Sequence, residues 1–185
     1  MNIQSIVIFG TLAMGSSVYS DQEAPNMPYV VAAEWGRCYA KSVPTSRYGN
    51  DGETKVYDVE RGDDKLIATY KWFSNRVYLN CGLGKGKKWG LSIVELGSWP
   101  RGENPTDENL AIAFYLSDSL LNKYSTLDIA GSKENCSRSV SHYEVIKEVL
   151  GYRWIQGNEY VFEIKTYDGK LLTFEPTTGT LLSRR

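Results

Sequence analysis

Nucleophilic hydrolysis needs a base within reach of a serine or cysteine, and this chain has one imidazole, His142. Its neighbours Ser139 and Ser141 do not make a triad by adjacency, because triad geometry is set in space, and no Gly-x-Ser-x-Gly elbow occurs. One histidine also leaves zinc without a ligand set, since zinc sites draw two or more His or Cys at close spacing. The residues therefore predict no catalytic group, no metal and no cofactor. The run Gly82-Leu83-Gly84-Lys85-Gly86-Lys87-Lys88 has the glycines and cations that cradle phosphate. It lacks the Ser or Thr after Gly-Lys and the glycine spacing of either nucleotide motif, and reads as a basic hairpin.

Two carboxylates could cleave a glycan without histidine, and Glu34 beside Trp35, Glu95 before Trp99 and Glu163 beside Phe162 are acids near aromatics. The 13 Tyr, 5 Trp and 5 Phe carry a different possibility: rings presented on a β face offer flat platforms to a ligand or partner. Trp99, ahead of a proline in Gly97-Ser98-Trp99-Pro100-Arg101, is the expected contact. Arg61-Gly62-Asp63 spells an adhesive tripeptide, but it is also what a tight turn wants. Asn135-Cys136-Ser137 is formally a glycosylation acceptor, whereas Asn104 precedes proline and is excluded.

Lys plus Arg number 21 against 22 Asp plus Glu, a net charge of -1. No basic field is available for a polyanion, which argues against nucleic acid as a partner. Residues 1–20 read as a secretory signal peptide: an apolar run from Ile3 to Gly15, small residues, then Val18-Tyr19-Ser20 ahead of Asp21. Its first residues carry no Lys or Arg, yet the run is shorter than the roughly 20 residues that span a bilayer. The expectation is a secreted or periplasmic protein with no integral membrane segment after cleavage. In that compartment disulfides persist, and three cysteines allow one intramolecular bridge. Cys81 and Cys136, each bordering a loop, are the expected pair, and Cys38 the strand thiol; three reduced cysteines are the alternative.

The elements that must position these residues are strands. After an extended segment at 21–28, residues 29–185 read as a single β-rich domain. In Leu66-Ile67-Ala68-Thr69-Tyr70-Lys71-Trp72 the apolar residues fall on one face with period two, and Phe162-Glu163-Ile164-Lys165 leads into the hairpin signal Asp168-Gly169. Further turns are marked at Asn50-Asp51-Gly52, Gly157-Asn158 and Thr178-Gly179.

An offset of about 54 residues superposes Trp35-Gly36 on Trp89-Gly90 and Asp64 on Asp118, with Leu66-Ile67 over Leu120-Leu121 and Tyr70 over Tyr124. A third hairpin at Asp168 repeats the acidic turn, paired aliphatics and aromatic. The expected fold is mainly β, an antiparallel sandwich or barrel of about three repeated hairpin units, with a small propeller-like arrangement as the alternative. Short helices are the competing reading at 107–123, where Thr106-Asp107-Glu108 resembles a helix start, and at 142–150, where Ser141 to Glu144 matches a capping box and Gly151 a terminal cap.

The role these features favour is an exported, non-enzymatic β-domain that binds a protein or cell-envelope ligand. A carboxylate-dependent hydrolase of envelope or extracellular polymers is the alternative from another class, and a structural accessory subunit is the third.

Overall fold

Alternating inward and outward side chains, broken by turns at short intervals, build antiparallel meanders. The computed structural model describes residues 23–34, 36–82, 90–156 and 159–185. The proposed signal peptide, Trp35, Trp89, most of the basic glycine run and the turn at Gly157-Asn158 lie outside the described residues. Strands β1 (Tyr29–Ala32), β2 (Cys38–Pro44), β3 (Gly52–Asp58) and β4 (Lys65–Tyr70) form the first sheet in chain order. Strands β5 (Val77–Asn80), β6 (Ser92–Leu96), β7 (Leu110–Leu116) and β8 (Ser119–Ser125) form the second. After α1 (Thr126–Ala130) and a small hairpin of β9 (Ser137–Arg138) with β10 (Tyr143–Glu144), strands β11 (Ile146–Ile155), β12 (Glu159–Thr166), β13 (Leu171–Glu175) and β14 (Thr180–Arg184) make the third.

The chain is thus mainly β and sandwich-like, and the described residues form no closed barrel. Its stacking order is read from the side chains of the second sheet. Every residue of β6 is buried. Val94 and Leu96, with Ile112 and Phe114 of β7, pack on Phe162, Ile164, Leu172 and Phe174 of the third sheet. Ile93, with Val77 and Leu79, packs on Ala40, Val56, Ala68 and Tyr70 of the first. A strand buried on both faces reads as a continuous apolar run, as Ser92-Ile93-Val94-Glu95-Leu96 does. The first and third sheets share neither of these two cores.

Where helices competed, strands form. Residues 110–125 make the β7–β8 hairpin, turned at Ser117 with φ of 52°. Ser141 to Glu144 enters β10 instead of capping a helix, and its Ser141 hydroxyl bonds His142 Nδ1 at 2.8 Å. Among the described residues the one α-helix is α1, whose capping box is Ser125 with Asp128. No helix among them is long and apolar enough to cross a membrane.

The 54-residue offset sets β4 over β8, each the last strand of its sheet. The third hairpin does not extend the match, because Asp168-Gly169 turns β12 into β13, one strand earlier. Within β4 a bulge opposite Val56 and Tyr57 breaks the alternation at Ile67. Ala68 and Tyr70 face inward as expected, while Leu66 is exposed.

Candidate binding cleft

Strands β11 and β12 carry their aromatic residues on one face by period two. Tyr152 stands opposite Phe162, and Trp154 opposite Tyr160. The result is a ladder of rings from the core to solvent. Phe162 packs edge-on against Phe114 and Tyr78 at 5.9 and 5.5 Å between centroids. Tyr152 meets Phe162 at 5.1 Å and stacks on Tyr160 at 5.8 Å. Trp154 closes the series, 4.8 Å from Tyr160 with the planes at 57°. Its side of the ladder is open, and Trp154 is 65% exposed. Indole burial on this scale is favourable, so a large ring left in water is a feature to explain.

The outer rings form one wall of a cleft of about 440 Å³. The rest of the lining comes from Ala33, Glu34 and Arg37, between β1 and β2, and from Leu79, Asn80 and Cys81 at the end of β5. Asn80 fixes the Tyr160 ring: its Nδ2 donates to the Tyr160 hydroxyl, while its Oδ1 accepts the Gly82 N–H at 2.8 Å. Tyr152 is held from below by a hydroxyl contact of 3.0 Å with Ser92, which donates on to the Pro176 carbonyl at 3.3 Å. Burial pushes both phenols above the ordinary tyrosine range, so they remain neutral. Arg153 at the rim pairs with Glu163 at 3.4 Å, and Glu163 also accepts from Thr173 at 3.1 Å.

The disulfide differs from the expected pairing. Cys81 is bonded to Cys38, with Cα atoms 6.2 Å apart, and Cys136 is a free, half-buried thiol. The bridge ties β2 of the first sheet to the end of β5 in the second. Its cause is the stacking of those sheets, which brings Cys38, fully buried in the strand, under the loop that follows Asn80.

Trp99 is not in the cleft. It is half-buried and stacks on His142, centroids 4.3 Å apart and planes at 22°. Nearby, the Glu23 carboxylate lies 3.1 Å from Arg101 and 3.5 Å from His142 Nε2. The three acids singled out beside aromatics do not meet in one cavity. Glu34 borders the aromatic cleft, Glu163 is buried behind Arg153, and Glu95 borders a separate cleft of about 370 Å³ with Trp72 and Tyr115.

Glu95 accepts from Tyr115 at 2.8 Å and from Asn50 at 3.3 Å. Burial nevertheless dominates these bonds and raises its carboxyl to about 7. Arg61-Gly62-Asp63 is an exposed bend between β3 and β4. The Asn135 side-chain nitrogen is engaged, donating to the Ala130 carbonyl at 3.0 Å. Among the described residues no group of three or more His, Cys, Asp or Glu gathers in a way that could hold a metal ion.

Fold and cleft together define the class: a β-sheet protein of stacked meanders with an aromatic-walled cleft lined by residues of all three large sheets and their loops. No protein-family model, curated protein sequence or solved structure matches the chain.

Proposed function

We propose that the protein is an exported, secreted or periplasmic, non-enzymatic β-domain that binds a protein or envelope ligand in the cleft walled by Trp154 and Tyr160. The observation that carries this reading is the exposed Trp154 at the end of a ring ladder that is buried at Phe162 and half-buried at Tyr152 and Tyr160, in a cleft also lined by Glu34, Arg37 and Asn80. Binding sites combine an apolar majority with a few placed polar groups, and this is the balance here. Export is supported by the apolar leader and by a disulfide between buried and loop cysteines. Separation of Glu34, Glu95 and Glu163 weighs against a two-carboxylate hydrolase. The edge strands β4 and β8 leave Leu66 and Leu120 exposed but carry Lys65 and Lys123, charges that discourage the edge pairing of a structural accessory subunit.

Two outcomes are expected. In a thermal-shift panel of glycans, envelope fragments, peptides and nucleotides, a ligand at 100 times its dissociation constant adds about 2.7 kcal/mol of stability. Trp154→Ala should cut that shift to about 1.4 kcal/mol, the value for a tenfold loss of affinity; a shift undiminished in the variant puts the site elsewhere. Mass spectrometry of protein recovered from outside the cytoplasm should find Asp21 at the N-terminus, and an intact Met1 there refutes the signal peptide.

A further inference from the structure

Resting on the cleft reading, we infer that the ligand is a neutral saccharide, one pyranose of which stacks on Trp154 in the corner it makes with Tyr160. A pyranose has an apolar C–H face and a rim of hydroxyls. The cleft offers the complement of both: an exposed indole set at 57° to a second ring, and planar polar side chains, Glu34 and Arg37, in the same lining.

The Tyr160 hydroxyl adds a directed donor. It already accepts from Asn80 Nδ2, so its own proton points away from Asn80 and is available to a ligand oxygen. Asn80 is thus a positioning residue, with both ends of its amide used on the protein. Charge gives an acidic sugar no advantage: among the described lining residues Glu34 and Arg37 supply one charge of each sign, and Arg153 is answered by Glu163 at 3.4 Å. An extended peptide would instead use backbone ladder bonds along a strand edge, and it has no need of an exposed ring at the cleft mouth.

The test is calorimetric titration of the intact folded protein with cellotetraose, chitotetraose, tetragalacturonate and tetra-alanine, at concentrations up to about tenfold above a millimolar dissociation constant. One of the two neutral tetrasaccharides should bind. Trp154→Ala should weaken it about tenfold, the scale of one lost aromatic contact. Tyr160→Phe, which keeps the ring and removes the donor, should weaken it severalfold. Both variants should melt as the parent does, since neither change empties the core.

Preference for tetragalacturonate or tetra-alanine, lost in Trp154→Ala, overturns the neutral-saccharide assignment and leaves the cleft as the site. Neutral-sugar binding indifferent to Trp154→Ala overturns the cleft itself. No binding by any of the four overturns the assignment, and the thermal-shift panel then decides the cleft separately.

Discussion

Replacing both Cys38 and Cys81 with alanine is expected to destabilise the fold by about 4 kcal/mol, the loop-closure entropy of a bridge that spans 43 residues of sequence. For a chain of this length the melting temperature should fall by roughly 8 to 16 °C. The effect is large because the bridge joins two sheets, so the unfolded chain loses freedom over the whole run from β2 to β5. Alanine is the suitable replacement at Cys38, which is fully buried; serine would add an unpaired hydroxyl and confound the reading. Thiol counting under denaturing, non-reducing conditions should find one thiol, that of Cys136. Three thiols, or a reduced parent that melts like the untreated one, would remove the bridge from the argument.

Glu95→Gln should flatten the pH dependence of stability and raise stability at pH 8. The folded carboxyl is raised to about 7 from its ordinary 4.5, so the native state binds this proton more tightly than the unfolded chain does. Its contribution is then fully present below about pH 4.5 and is lost as pH rises toward 7, levelling off above. The span of the shift corresponds to about 3 kcal/mol. The cause is placement: Glu95 lies on β6, a strand buried along its whole length, and its hydrogen bonds from Tyr115 and Asn50 offset only part of the desolvation. Urea denaturation at pH 5, 6, 7 and 8 measures the slope for parent and variant. Equal slopes in the two proteins would show that this carboxyl is not its source.

Strand content was legible because period two is a local property. The runs around Ala68 to Tyr70 and Phe162 to Ile164 carry it in a few residues, and the competing helical periodicity at 107–123 loses to the alternation of Leu110, Ile112, Phe114 and Leu116. What sits against what was not legible. Cys38 and Cys136 are both plausible partners for Cys81 in one dimension, and only the stacking of the first sheet on the second decides between them. Trp99, between serine and proline and two residues after glycine, looks presented, but His142 arrives from far along the chain and stacks on its ring.

Trp154 did have a local signal. Tyr152 and Trp154 before the turn at 157–158, with Tyr160 and Phe162 after it, are aromatic cross-strand pairs of a hairpin. Reading the two strands together, with the turn as mirror, exposes that ladder; reading each strand alone hides it.

Each of the three large sheets is drawn from an uninterrupted stretch of chain, and they stack in the order in which they are synthesised. A ribosome therefore delivers the layers one at a time. Once the second has docked on the first, Val94, Leu96, Ile112 and Phe114 form a bare apolar plane until Ile146 and the residues beyond it emerge. Premature termination anywhere in the third layer releases a product with two finished amino-terminal layers and an uncovered sticky surface, which makes the carboxy-terminal strands the guardians of the chain's solubility.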